Sequence, residues 1–375
     1  MKTVYVGMSG GVDSSVAAML LMEQGYQVVG VYMKNWSRDL PGMKCPWAED
    51  LADAKRVAVK LGINFEVWDF EKEYREKVVE YMLREFRAGN TPNPDIMCNQ
   101  EIKFKLFYEK AMEAGADCIA TGHYARVALA GYVPTFPPTS LARPDSVEIS
   151  QARSSARASL MCAVDENKDQ TYFLYRISEE ALSHTIFPIG GMLKPEVKKL
   201  AKERGLHNAY KKESMGVCFV GEVGMKDFLK EYIDVEPGEI REIESDKVLG
   251  YHEGAAFYTI GQRHGLYLDG EKGVINDGMP YYVVKKDTDK NIVYVSKNLN
   301  DKNIWCKELR LRDMLMREEV KNGQIMVRLR HRAPLVPASF DGETLHFKEE
   351  IKRPASGQSA VLYDGEICLG GGIIV

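Results

Sequence analysis

The string Ser9-Gly10-Gly11-Val12-Asp13-Ser14-Ser15 follows the apolar run Thr3-Val4-Tyr5-Val6-Gly7-Met8, and this junction constrains the fold more than any other feature of the chain. A short β-branched and aromatic run reads as a buried strand. Two glycines permit a tight turn with backbone close to a ligand. Ser14 to Gln24 then reads as a helix. Backbone N–H groups at its start, with hydroxyls from Ser9, Ser14 and Ser15, make an anion site suited to phosphate. A serine helix cap would explain one hydroxyl and one glycine, but not the whole string. The loop is not a Walker A loop, because no Gly-Lys pair occurs in the chain.

Strand and helix signals alternate over the first ~120 residues. Strands are expected at Val4–Met8, Val28–Met33, Phe65–Trp68 and Cys118–Thr121, and helices at Ser14–Gln24, Trp47–Leu61, Glu71–Arg87 and Glu101–Ala114. This predicts an α/β fold with a doubly wound parallel sheet, and ligands at the carboxyl ends of the strands. Met33 ends the second strand at that edge, where it suits an adenine contact or a core methionine equally. Gly131–Ala158, with Pro134, Pro137, Pro138 and Pro144, reads as a mobile surface insertion that a short linker should replace. Helical signals return at Ser178–Thr185 and Pro195–Arg204, and Gly221–Met279 is mixed and turn-rich. After Pro280 short alternating strands suggest a small antiparallel barrel. The expected domains are 1–221, 222–279 and 280–375.

The length of 375 residues suits two or three domains, and 45% hydrophobic residues can fill their cores. No stretch approaches a membrane span and no signal peptide precedes the first strand, so a cytoplasmic protein is expected. Seven dispersed cysteines without a C-x-x-C argue against a disulfide framework or a zinc ribbon, and no metal site is expected from them. A net charge of −4 requires any nucleic acid to meet a local basic face. Arg328, Arg330 and Arg332, on one expected strand, would share a face and form a row of cations.

A second constellation lies at Asn93-Pro94-Asp95-Ile96-Met97-Cys98-Asn99. Pro92 and Pro94 fix an extended loop before a helix. A thiol near a helix start gains thiolate character. Asp95 suits either the helix cap or a general base, and alone the cap is the simpler reading. Cys218 sits in the apolar run Val217-Cys218-Phe219-Val220, where a core cysteine is the default.

Ser-Gly-Gly-x-Asp-Ser resembles the PP-loop of the ATP pyrophosphatases, which implies that the loop holds the leaving pyrophosphate while a substrate is adenylated. Over nearly its whole length the chain resembles the tRNA-specific 2-thiouridylases of the MnmA/TrmU type. The resemblance rests on Gly7–Ser15, Met33-Lys34-Asn35-Trp36, Thr91–Cys98-Asn99, Ile102-Lys103-Phe104 and Thr121-Gly122-His123-Tyr124-Ala125-Arg126. It continues through Asn167–Leu174, Gly216-Val217-Cys218-Phe219, Thr259-Ile260-Gly261-Gln262-Arg263 and Gly357–Val361. It implies that ATP, with Mg2+, adenylates the C2 oxygen of a wobble uridine and that a persulfide then replaces that oxygen with sulfur. It further implies Cys218 as persulfide carrier, Cys98 as the thiol that frees the sulfur and ends in a disulfide with Cys218, and Asp95 as acid/base. The ATP contacts it implies are Gly7, Met8, Ser9, Gly10, Gly11, Val12, Asp13, Ser14, Met33 and Gly122. The tRNA contacts are Asn93, Pro94, Asp95, His123, Lys168, Asp169, Gln170, Arg330, His331 and Gln358. The implied partners are a tRNA anticodon stem-loop, a sulfur-relay donor protein and a reductant for the disulfide.

The chain departs from the family at Glu213-Ser214-Met215-Gly216, where Asp-Ser-Thr-Gly is usual, at His331, where an aromatic is usual, and in the longer insertion, which would disturb an edge strand. Rival readings are another PP-loop tRNA-modifying or amide-forming ATP pyrophosphatase, and a non-enzymatic RNA-binding protein with a degenerate fold. A variant mechanism would have Asp95, Cys98 and Cys218 ligate an iron–sulfur cluster. An amidotransferase module has no segment left to occupy, and the intact phosphate loop beside Asp95 and Cys98 argues against a non-enzyme.

Overall fold

The computed structural model describes residues 1–39, 45–129, 157–212, 225–234, 236–266, 268, 279–298, 300–301, 303–320 and 323–375. Cys218 and nearly all of the 131–158 insertion lie outside these residues.

Five parallel strands form the N-terminal sheet: β1 (Thr3–Gly7), β2 (Gln27–Lys34), β3 (Asn64–Asp69), β4 (Cys118–Thr121) and the short β7 (Thr185–Ile186), in the order β3-β2-β1-β4-β7. β1 is central because its residues Val4 to Gly7 are buried on both faces. Parallel pairing requires crossovers, and helices supply them. Helix α1 (Val12–Glu23) follows β1, and eight of its residues are buried, so it lies inside the domain. Helix α2 (Trp47–Leu61) is amphipathic, burying Ala54, Val57 and Ala58, and ends on Gly62 in the left-handed region. Helical run α3 covers 71–87, and α4 covers 94–113 with π-helical turns over Cys98–Leu106. The shorter α5 (Thr171–Leu174), α6 (Glu179–Ser183) and α7 (Lys194–Glu203) complete the domain. The strand order turns back on either side of β1, so a crevice opens at the carboxyl ends of β1, β2 and β4. Among the described residues no helix is long and apolar enough to cross a membrane.

Helix α8 (Met225–Lys230) leads to a second sheet of β8 (Gly238–Glu242), β9 (Val248–His252), β10 (Tyr282–Asp287) and β11 (Ile292–Ser296), ordered β10-β11-β8-β9. This corrects the expected 279/280 boundary. β10 and β11 alternate like barrel strands, but β11 pairs with β8, so they belong to the central sheet. Local alternation reports a strand and is silent on its partner.

The C-terminal strands are β12 (Trp305–Met316), β13 (Gln324–Arg328), β14 (Val336–Phe340), β15 (Thr344–Lys352), β16 (Ser359–Asp364) and β17 (Ile367–Ile374). They run β12-β15-β14-β13-β16-β17, and β12 pairs again with β17, closing an antiparallel six-stranded barrel. Its core includes Leu311, Val327, Leu345 and Leu362. A hairpin from the N-terminal domain, β5 (Arg126–Leu129) and β6 (Ala158–Met161), attaches through β6 to β17. The insertion therefore leaves its flanking strands intact, and its last expected residue, Ala158, is a buried strand residue rather than loop.

Candidate active site

The phosphate loop leaves β1 at Gly7 and turns at Gly10, whose φ is +76°. Gly11 occupies the N-cap of α1 and no side chain caps the helix. The first-turn N–H groups thus keep their positive ends for an anion. The serines do something other than expected. Ser14 Oγ donates to Gly11 O at 3.2 Å and accepts from Ser9 N at 3.2 Å. Ser15 Oγ donates to Gly11 O at 2.9 Å and accepts from Asn208 Nδ2 at 2.9 Å. Both are buried, so their hydroxyls shape the loop, and Ser9 alone presents an exposed one. Asn208 also donates to Gly10 O at 2.9 Å.

Asp13 points into a network that local sequence did not reveal. Lys194 Nζ, at the start of α7, lies 2.7 Å from both of its carboxylate oxygens, and Tyr124 Oη donates to Oδ1 at 3.0 Å. Lys194 is buried while Asp13 keeps partial exposure. The pairing joins residues far apart in sequence, and a lysine before a proline at a helix start carries no local signal of it. Gly122, just after β4, packs so closely that a Cβ there would lie 2.7 Å from the Asp13 carbonyl carbon. Met33 folds over Gly7, where a Cβ would lie 2.9 Å from its Cε. Gly7, Met8, Val12, Met33 and Gly122 thus gather around one loop.

The helix carrying Asp95 and Cys98 stands at the same edge. Asn93, not Asp95, is its N-cap: the Asn93 side chain accepts from Asp95 N at 3.2 Å, with Pro94 in the first turn. The simpler capping role for Asp95 is thereby corrected, and its carboxylate is released from capping. Burial pushes the Asp95 pKa up, against the pull of Lys103. Cys98 is buried and opens the π-helical turns, one turn beyond Asp95. Such turns often mark functional sites. His123 accepts from or donates to Thr121 Oγ1 at 2.7 Å and packs on Phe104 of α4 and on Phe187. Burial, aided by Lys103, holds its pKa well below the usual imidazole value, so the ring is neutral. Lys103 thus acts on Asp95 and His123 together, and the contact of Phe104 with His123 places α4 beside the end of β4.

The chain reaches the Cys218 segment from beside the loop. Lys211 is paired with Asp50 at 2.7 Å and Asp53 at 2.5 Å on α2, and Asn208 holds Gly10. It returns at α8, where Phe228 packs on Trp36.

The expected tRNA contacts divide. Lys168 is half-buried and Arg330 exposed. Asp169, expected in the tRNA-contacting loop, is turned inward: it is buried, pairs with Arg328 at 2.8 Å, and accepts from Thr171 Oγ1 at 2.7 Å and Ala163 N at 3.0 Å. Gln170 exchanges two 2.9 Å bonds with the Tyr124 backbone. The cation row is also corrected. β13 ends at Arg328; Arg330 and Arg332 lie in a turn where Arg332 has φ +61°. His331 packs on Phe173 with the rings tilted by 46° and their centroids 4.4 Å apart. Gln358 Nε2 donates to Thr91 O at 2.7 Å.

Three family models cover the chain in order: "tRNA methyl transferase HUP domain" at residues 2–222, "tRNA methyl transferase PRC-barrel domain" at 226–297 and "Aminomethyltransferase beta-barrel domain" at 304–374. Relatives named tRNA-specific 2-thiouridylase MnmA are similar from end to end. That of Idiomarina loihiensis is 42% identical over 100% of this chain and 96% of its own length. That of Bacillus subtilis is 42% identical over 99% and 94%. A Listeria monocytogenes serotype 4b relative is 43% identical over 99% and 94%. The chain belongs to the MnmA family of tRNA-specific 2-thiouridylases. The extent of each match agrees with the sheet pairing, since the second model ends just beyond β11 and the third begins just before β12.

Proposed function

We propose that the protein is an ATP-dependent tRNA uridine 2-sulfurtransferase, acting on the wobble uridine of an anticodon stem-loop in the cytoplasm. The observation that carries this reading is the shared edge of the sheet. An uncapped helix start suited to pyrophosphate and the helix of Asp95 and the buried Cys98 meet there, with Gly122 packed on the loop and Phe104 of α4 packed on His123.

The chemistry follows from the groups present. The C2 oxygen of uracil attacks the α-phosphorus of ATP and pyrophosphate leaves into the N–H groups of α1. Asp95, with its raised pKa, exchanges the proton of the uracil ring as charge moves to the oxygen. The terminal sulfur of a Cys218 persulfide attacks C2 and AMP departs. Cys98 then attacks the remaining sulfur of Cys218, so the S–S bond to the transferred sulfur breaks and a Cys98–Cys218 disulfide forms. An external reductant restores both thiols, and a relay protein supplies the persulfide. Asn93, Pro94 and neutral His123 line the uracil side, while Lys168, Gln170, Arg330 and His331 face the tRNA.

Magnesium fits beside Asp13. A carboxylate offers about four acceptor positions, and Lys194 and Tyr124 take three. Asp13 would be its protein ligand, the remaining oxygens coming from phosphate, and the ion would screen phosphate charge. No group of three or more His, Cys, Asp or Glu side chains that could hold a metal is found among the described residues. The test of function is nucleoside analysis of bulk tRNA after expressing the chain in cells lacking their own tRNA 2-thiouridylase. Restored 2-thiouridine is expected, and its absence with soluble protein present would sink the assignment.

A further inference from the structure

All three domains meet at one residue, Thr91, in the loop between α3 and α4. Its N–H donates to Ser356 O at 2.8 Å, and its carbonyl accepts from Gln358 Nε2 at 2.7 Å, so the barrel holds both faces of its backbone. Its hydroxyl lies 3.4 Å from that of Thr259 in the central domain. Gly357, between the two barrel contacts, has φ +89°, and a Cβ there would stand 2.9 Å from Asn90 Cβ and 3.0 Å from Thr91 N. The barrel side is itself fixed: Gly357 N donates to Ile374 O and Ile374 N to Gln358 O, both at 2.8 Å. Lys286 of β10 donates to Gly89 O at 2.8 Å just upstream, and Arg312 of β12 pairs with Glu85 at 2.7 Å.

Two residues after Thr91, Asn93 caps α4, and Asp95 and Cys98 occupy the first turns. Pro92 and Pro94 have fixed φ, so the intervening backbone has few ways to absorb a shift at Thr91. A displacement of the barrel loop is therefore passed to the helix that carries the carboxylate and the thiol.

We propose that Gln358 is a positioning residue for Asp95 and Cys98, acting across the domain boundary through the Thr91 carbonyl, with Gly357 permitting the close approach. This rests on the sulfur-transfer roles given to Asp95 and Cys98. It also accounts for a barrel loop bonded to the catalytic domain's backbone rather than simply offered to RNA. Only a side chain of this length carrying an N–H donor makes the bond. Methionine matches glutamine in reach but cannot donate, and glutamate would set an acceptor against an acceptor.

The experiment uses the full-length Gln358→Met, Gln358→Glu and Gly357→Ala proteins. Three quantities are measured: tRNA dissociation constant, single-turnover thiolation at saturating tRNA, and the rate of Cys98 alkylation followed by peptide mass spectrometry. Gln358→Met should slow single-turnover thiolation by about three- to tenfold, the share of one hydrogen bond. Its tRNA affinity should stay within about twofold of the parent, and Cys98 should alkylate faster. Gln358→Glu and Gly357→Ala should show the same pattern, more strongly. Weaker tRNA binding with an unchanged saturated rate would make Gln358 an RNA contact and overturn the proposal. Unchanged alkylation and unchanged rate would overturn it as well. Altered alkylation with normal thiolation would show that α4 moved without consequence and would overturn the proposal, whereas normal thiolation by Cys98→Ser would remove the role on which it rests.

Discussion

The phosphate loop and the Arg328–Arg332 segment both present hydroxyls or cations in a short string, and in both the side chains are used differently from what the string suggests, yet only the loop keeps its anion site, through its backbone. In the loop, Ser14 and Ser15 spend their hydroxyls on Gly11 O, three and four residues away, and the ligand is left the backbone. Those bonds are local, so the local sequence encodes them. At the end of β13 Arg328 is committed to Asp169, 159 residues upstream, and in the turn that follows Arg330 is exposed, so neighbours in sequence have opposite fates. Where β13 ends decides which arginine is which, and its last residue, Arg328, is set by pairing with Val361 of β16.

The largest effects should come from breaking the loop's long-range support. Asp13→Ala should abolish tRNA-dependent ATP–pyrophosphate exchange; exchange at the parental rate would refute the loop assignment. Lys194→Met tests the part that sequence did not show. It leaves the Asp13 carboxylate without its buried cation beside incoming phosphate, and exchange should fall by roughly 10–100-fold. If exchange instead survives in Lys194→Met, the ion pair is structural and the local string alone defines the loop.

Next in size are the thiols, which separate activation from sulfur transfer. Cys98→Ser and Cys218→Ser should each stop thiolation while ATP binding persists, because the phosphate loop does not use them. Cys306→Ser, in the barrel core, should remain active. Normal thiolation by either site variant would make that cysteine structural.

The two arginines then sharpen the contrast directly. Arg328→Ala strands the buried Asp169 carboxylate and should cost roughly 3–5 kcal/mol of stability, read by chemical denaturation. Arg330→Ala should leave stability unchanged, weaken tRNA binding and make the slope of log affinity against log salt shallower by about 0.7–0.9. Equal behaviour of the two variants would erase the distinction between brace and contact.

What the sequence made legible follows the same division. Helix α2 and strand β4 appear at their expected bounds, and the parallel sheet follows from their alternation with the other early elements. The string around Asp95 and Cys98 marked the right helix. The cap went to Asn93 because the chain turns helical at Pro94, two residues earlier than a cap at Asp95 requires. Lys194, Asn208 and Thr91 were not legible as site residues, because each acts through one or two contacts with residues remote in sequence. The pairing of β11 with β8, which carries β10 into the central sheet, was hidden for the same reason.

The smallest effect concerns His331, the residue between the brace and the contact. Burial, with Arg332, Arg328 and Lys168 nearby and only Asp169 opposing, lowers its pKa to about 4. A group whose folded pKa lies below its unfolded value of about 6.5 favours the folded state above that value. Its contribution is then lost as pH falls from about 6.5 towards about 4. The ring is therefore a neutral aromatic against Phe173, 4.4 Å away, at neutral pH. Its Nδ1 is buried without a hydrogen-bond partner, so removing that nitrogen breaks no bond. His331→Phe should keep the ring contact and match the parent's stability at pH 7.5. It should lose less stability than the parent between pH 6.5 and 4, in unfolding measured across that range. Identical acid profiles for the two proteins would show that His331 titrates as an ordinary surface imidazole. The turn would then be open to solvent, like Arg330, and not anchored against Phe173.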